Sequence, residues 1–272
     1  MKSDARELWW AAGAIAAITA IYLYVVNHLQ AVPAASSLFG HGLGVLGFVL
    51  MLATETLYSL RKRSRQARWG RTASWLRFHI FTGLVGPYMV LLHTSWKFNG
   101  LAGVVMLLTI IVVVSGFLGR YIYTAVPRTA DGLMLEADEL QAQIAAAEAE
   151  LQRWLASRPD TAQALALRLA ALPQAPENQF MLVLGRAFIE WGYRWQWRRE
   201  LRRLDAAARA QGHQIETLVA RRQALARQVA SLATARQLLG VWHSVHIPIG
   251  MALFTAAFIH IIAAVYYATL LR

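Results

Sequence analysis

Two stretches decide the fold: HIFTGLVGPYMVLLH at 79–93 and HIPIGMALFTAAFIH at 246–260. Each begins and ends on histidine, and the residues between are apolar or uncharged. The two histidines of each stretch are 14 positions apart. That is four turns at about 3.5 residues per turn, so both imidazoles fall on one face of a packed helix. The rise between them is about 21 Å, against a bilayer core about 30 Å thick. One histidine then lies near each edge of the core. Ionisable side chains in such a place are costly and mark function.

The surrounding sequence supplies the membrane. Of 272 residues, 57% are hydrophobic, and the mean hydropathy is +0.38. Five apolar stretches approach or exceed the roughly 20 residues needed to cross: Leu8–Leu29, His41–Leu60, Trp75–Ser95, Leu101–Thr124 and Val241–Leu270. The first is too long for a signal-peptide core and no small-residue cleavage site comes after it, so a retained helix is expected. The expected fold is an all-α integral membrane protein. Its organisation is transmembrane helices one to four in 1–124, an insert in 125–240, and helix five in 241–272.

Charge sets the expected orientation. Arg61, Lys62, Arg63, Arg65, Arg68 and Arg71 lie between spans two and three with no acid among them. The loop after span one has no Lys or Arg, and the loop after span three has only Lys97. The positive-inside rule then puts the arginine-rich loop, the N-terminus and the insert in the cytoplasm and the C-terminus outside, in a bacterial inner (plasma) membrane. Arg120 and Arg128 agree. The net charge of +12 is explained by this asymmetry, and nucleic acid is not an expected partner.

The insert reads as a cytoplasmic helical hairpin. Asp131 is a candidate cap for a helix carrying Leu140, Ile144, Ala147, Leu151 and Trp154, and Pro159, Pro173 and Pro176 break the chain beyond it. A second helix carries Leu201, Leu204, Ala208, Ile215, Leu218, Leu225, Val229 and Leu232, a heptad seam interrupted by Gln211 and Arg222. The seam continues in register through Leu239 to His246, Leu253 and His260, so one helix could run from the insert through both histidines unless Gly240 or Pro248 breaks it. Between the two helices, Phe180–Trp197 is rich in aromatics and ends on Arg198 and Arg199. It either lies at headgroup level or fills the core of the hairpin.

The histidines imply a cofactor. With no cysteine in the chain, disulfides, thiolate metal sites, iron–sulfur clusters and covalent haem attachment are excluded. Spans three and five run in the same direction, so His79 shares a level with His246, and His93 with His260. Neutral imidazoles are good axial ligands to haem iron, and two bis-histidine sites at two depths suit two haem b groups. The alternatives are a zinc site, a proton path or interfacial caps; zinc prefers a compact cluster of three or four ligands. Gly83 and Gly86 on span three and Gly250 on span five could let a flat ring approach the backbone, or serve helix packing. Arg77 and Lys97 are candidates for the haem propionates, with Arg120 and Trp96 behind them; each could equally be an interfacial anchor. Glu55, near the inner end of span two, could serve a quinone site or pair with a loop arginine. His28, His41 and His243 read as interfacial, and His213 as solvated.

Paired histidines at this spacing on two parallel helices resemble the haem bundle of the b subunit of quinol–cytochrome c oxidoreductase. They equally resemble the membrane domain of ferric reductases and NADPH oxidases, whose ligands also lie on the third and fifth helices. The resemblance covers about half the chain. It implies an inner haem on His79 and His246, an outer haem on His93 and His260, and transmembrane electron transfer within a multi-subunit oxidoreductase complex. A quinone is a further ligand it suggests. A redox protein would dock on the insert or on the basic inner surface. Oxidation of a quinol, or reduction of iron or oxygen, at a site of the chain's own is the alternative.

Overall fold

The computed structural model describes residues 6–63, 72–124, 137–156, 179–202 and 206–270, and the described residues contain helices and no strand. Their order is α1 (Arg6–Leu29), α2 (Leu38–Arg63), α3 (Thr72–His93), α4 (Gly100–Tyr123), α5 (Ala137–Ala156), α6 (Gln179–Leu184), α7 (Arg186–Leu201) and α8 (Ala206–Leu270). Five of these, α1 to α4 and the C-terminal part of α8, are long and apolar enough to cross a membrane. The loop cations Arg65, Arg68 and Arg71, together with Arg128, Asp131, Pro159, Pro173, Pro176 and Leu204, lie outside the described residues.

Local chemistry sets the helix ends. Ser37 caps α2, its hydroxyl accepting from the Gly40 N–H at 3.1 Å, the usual N-cap bond to the third helical residue. Helix α1 ends on Gln30 with φ of 53° and α3 runs out through Ser95 and Trp96 with φ of 50° and 63°, the left-handed exit that terminates many helices. Ser95 then donates to the Pro33 carbonyl at 2.6 Å, tying the loop after α3 to the loop after α1.

Two compact units divide the chain, residues 1–119 with 241–272, and residues 120–240. In the first, α1 packs on α2 and α3 through Ala11, Tyr22, Leu43, Val85, Met89 and Leu92. Hydroxyls add specific ties: Thr19 to Tyr88 at 2.5 Å and Thr54 to Thr82 at 2.7 Å, bonds worth roughly 0.6–2 kcal/mol between membrane helices. A second cluster brings α2, α3, α4 and α8 together at Met51, Val90, Val105, Leu253 and Ala257. Leu253 is seven residues from both His246 and His260, so this apolar layer separates those two histidine levels.

In the second unit, α5 buries Leu140, Ala147 and Leu151, the stripe expected from its periodicity. Glu150 and Glu148 pair with Arg221 and Arg222 of α8 at 3.3 and 3.2 Å. Leu232 and Leu239 of the heptad seam are buried. Neither Gly240 nor Pro248 interrupts α8. A proline removes one N–H from the ladder, and apolar surroundings tolerate that when neighbouring groups re-satisfy the freed carbonyl.

Candidate functional site

A carbonyl oxygen can only accept, and this fixes the histidine tautomers. His79 Nδ1 donates to the Thr54 carbonyl at 2.9 Å, and His93 Nδ1 donates to the Gly40 carbonyl at 2.8 Å. Both acceptors belong to α2. The third case is a hydroxyl: Ser115 of α4 lies 2.5 Å from His246 Nδ1. Ser115 has one proton, and it goes to the Val112 carbonyl at 3.0 Å. Its lone pair is what faces His246, so Nδ1 carries the hydrogen here too. In a neutral imidazole the lone pair then sits on Nε2. His260 makes no hydrogen bond among the described residues.

The four rings fall into two pairs. His79 and His246 are within electrostatic reach of one another, and so are His93 and His260. Each pair joins α3 to α8, and the two levels are about 21 Å apart along the helices. This donor set fits a bis-imidazole haem at each level: two neutral rings, with Nδ1 engaged in three of the four and Nε2 as the ligating atom. No cluster of three or more His, Cys, Asp or Glu side chains exists among the described residues.

Small residues frame the rings in a way the His-bearing helices alone do not reveal. A Cβ at Gly44 would lie 2.8 Å from the ring of His93. Gly47 and Gly86 face one another, each with its missing Cβ 2.8–2.9 Å from the other's carbonyl oxygen. Gly86 thus lets α2 and α3 approach closely. A Cβ at Gly83 would meet Thr54 at 3.4 Å, and one at Gly250 would meet the Glu55 carboxylate at 3.7 Å. Gly44 and Gly47 belong to the run Gly40, Gly42, Gly44, Gly47. The 42–47 stretch has the Gly-x-Gly-x-x-Gly spacing of a dinucleotide loop, yet it lies inside α2, where no strand precedes it and no loop is formed.

Trp242, one turn before His246, is the residue sequence reasoning missed. Its indole stacks on the His246 ring with centroids 4.5 Å apart and planes 25° from parallel. Its Nε1 donates to the Ser115 carbonyl at 2.7 Å. The ring fills the space where a Cβ of Gly119 would sit. At the other level, His41 meets His93 edge-on at 6.4 Å.

The structure does not gather every candidate. Arg77 is exposed and lies about 200° round α3 from His79, on the other side of the helix. Lys97 and Trp96 are exposed beyond the turn that ends α3. Arg120 is partly buried in the last turn of α4. Glu55, with Thr56, Ser59 and Leu60, lines an open depression of about 280 Å³ at the C-terminal part of α2. His28 stacks on Tyr24, and His243 packs against Trp242; the His213 side chain lies outside the described set. Comparison with protein-family models, with curated proteins and with solved structures finds no match to the chain.

Proposed function

We propose that the chain is a di-haem b-type cytochrome subunit that carries electrons across a bacterial inner membrane. One observation carries this reading. Two His–His pairs at two depths bridge the same two helices, and in three of the four rings an acceptor holds the proton on Nδ1, leaving Nε2 to ligate. When bound, each haem would supply a one-electron Fe(III)/Fe(II) couple. The residues do the rest. His79 and His246 hold one level, and His93 and His260 the other. Thr54, Gly40 and Ser115 fix ring orientation and raise ligand basicity through the Nδ1 bonds. The apolar layer of Met51, Val105 and Leu253 keeps water from between the levels.

The charge asymmetry supports a cytoplasmic side for the His79/His246 level, the arginine-rich loop and the insert, and an outer side for the His93/His260 level. The insert, with α5 paired to the N-terminal part of α8 by Glu148 and Glu150, would present a helical hairpin to a redox partner. Electrons would pass between that partner and a quinone or an acceptor on the far side. A second reading, quinol oxidation at the chain's own site, draws on the depression beside Glu55, where a carboxylate and two hydroxyls sit near Gly250 of α8.

A reduced-minus-oxidised absorption spectrum of the freshly purified chain tests the proposal. It should show a b-type α band with two haems per chain. A haem-free protein would overturn it. Reduction of the bound haem by a quinol analogue, lost in Glu55→Gln, would favour the second reading.

A further inference from the structure

Helix α7 carries a stripe that no packing among the described residues explains. Phe188, Trp191 and Trp195 succeed one another at three and four residues, one face of a helix. They are 78%, 71% and 57% exposed. Aromatics that filled a hairpin core would be buried, and these three are not. Arg198, Arg199 and Arg202 are exposed as well. By helical geometry Arg198 and Arg199 flank the stripe on opposite sides, and the Arg199 guanidinium lies 5.9 Å from the Trp195 ring.

The start of α7 is fastened to the end of a membrane-length helix. Tyr121, in the last turn of α4, donates its hydroxyl to the Leu184 carbonyl at 2.8 Å. Arg186, the first residue of α7, donates to the Tyr121 carbonyl at 2.7 Å and to the Thr124 hydroxyl. Its guanidinium also sits 4.3 Å over the Tyr121 ring. Helix α4 is the most apolar of the five candidate spans, and where such a helix crosses a bilayer its last turn would meet the headgroups. Helix α7 would then begin at headgroup depth.

We propose that α7 is an interfacial helix that docks its Phe188–Trp191–Trp195 face on the anionic lipid surface at the C-terminal end of α4. Indole and phenyl rings settle at the headgroup boundary, where an apolar body and a polar edge are both accommodated. Flanking arginines reach lipid phosphates while their stems stay on the apolar side. The inference needs only that α4 spans a membrane, and it stands whether or not the chain binds haem.

The chain contains no cysteine, so single nitroxide labels can be placed on the full protein in vesicles. Labels would go at Phe188→Cys, Trp191→Cys and Trp195→Cys, and at Ala187→Cys, which keeps all three aromatics. Val114→Cys on the exposed face of α4 is the lipid reference, and Gln143→Cys on α5 the water reference. In phosphatidylcholine with phosphatidylglycerol, the stripe positions should show an oxygen-to-nickel-chelate accessibility ratio between the two references. The ratio should fall in phosphatidylcholine alone, and Arg198→Gln with Arg199→Gln and Arg202→Gln should abolish that difference. Stripe labels that match Gln143→Cys in both vesicles would overturn the proposal. So would labels shielded from both probes, because that marks a protein contact, and so would equal depth in the two lipids.

Discussion

Ser115 Oγ accepts a hydrogen bond from Nδ1 of His246 at 2.5 Å, while its own proton goes to the Val112 carbonyl. The two bonds leave the hydroxyl no second role. An Nδ1–H bond raises electron density at Nε2, and a better donor favours ferric over ferrous iron. Ser115→Ala should therefore raise the midpoint potential of one haem and leave the other unchanged, and Ser115→Thr should restore it. Loss of such a partner typically weakens metal affinity by roughly 10–100-fold, so slower haem loss in the wild type is a second readout. Potentials that do not move in a haem-loaded Ser115→Ala protein would remove Ser115 from the site.

The pairing of levels makes a prediction that single variants cannot. His79→Ala and His246→Ala should each remove about one haem's absorption, and together they should remove no more than either alone. His79→Ala with His93→Ala should remove both. Haem titration of the four single and three double variants distinguishes this from crossed pairing. If His79→Ala with His260→Ala costs only one haem, the assignment of levels is wrong.

Much of this was legible in one dimension. Hydropathy placed the first four spans within a few residues of α1 to α4 and the fifth inside the much longer α8, because a bilayer demands a long apolar run and little else. The seven-residue register from Leu239 through His246 and Leu253 to His260 anticipated an unbroken α8. The neighbours of the histidines were less legible. Ser115 is 131 positions from His246, and no local pattern links them. Glycine on the His-bearing helices drew attention to Gly83 and Gly86, yet the space beside His93 is set by Gly44 on α2. Trp242 did leave a signal: it precedes His246 by four residues, one helical turn.

The α2–α3 contact gives a third test. Gly47→Ala would drive a methyl to 2.8 Å from the Gly86 carbonyl oxygen. That atom is backbone, so the helices must part. A misfit of this kind costs about 1–3 kcal/mol. Gly44→Ala meets the His93 ring instead, so it should disturb the haem spectrum of that level more than global stability. Thermal melts paired with absorption spectra check both. Equal effects on stability and spectrum in the two variants would contradict the geometry.

Trp242 is tested most sharply through the residue it covers. A Cβ at Gly119 would overlap the indole, so Gly119→Ala must displace a ring that stacks on His246. Gly116, three residues earlier on the same helix, has nothing within 4 Å of its missing Cβ. Gly116→Ala should therefore be neutral or stabilise by up to about 1 kcal/mol, the ordinary helix gain over glycine. Trp242→Phe keeps an aromatic ring on His246 but loses the Nε1 bond to Ser115, a net cost of about 0.5–1.5 kcal/mol. The expected order of disturbance at the His79/His246 level is Gly119→Ala and Trp242→Ala greatest, Trp242→Phe smaller, and Gly116→Ala none. Low-spin electron paramagnetic resonance reads that order directly, because it reports the relative orientation of the two axial imidazole planes. A Gly119→Ala spectrum identical to wild type would mean that the indole does not hold the ligand in place.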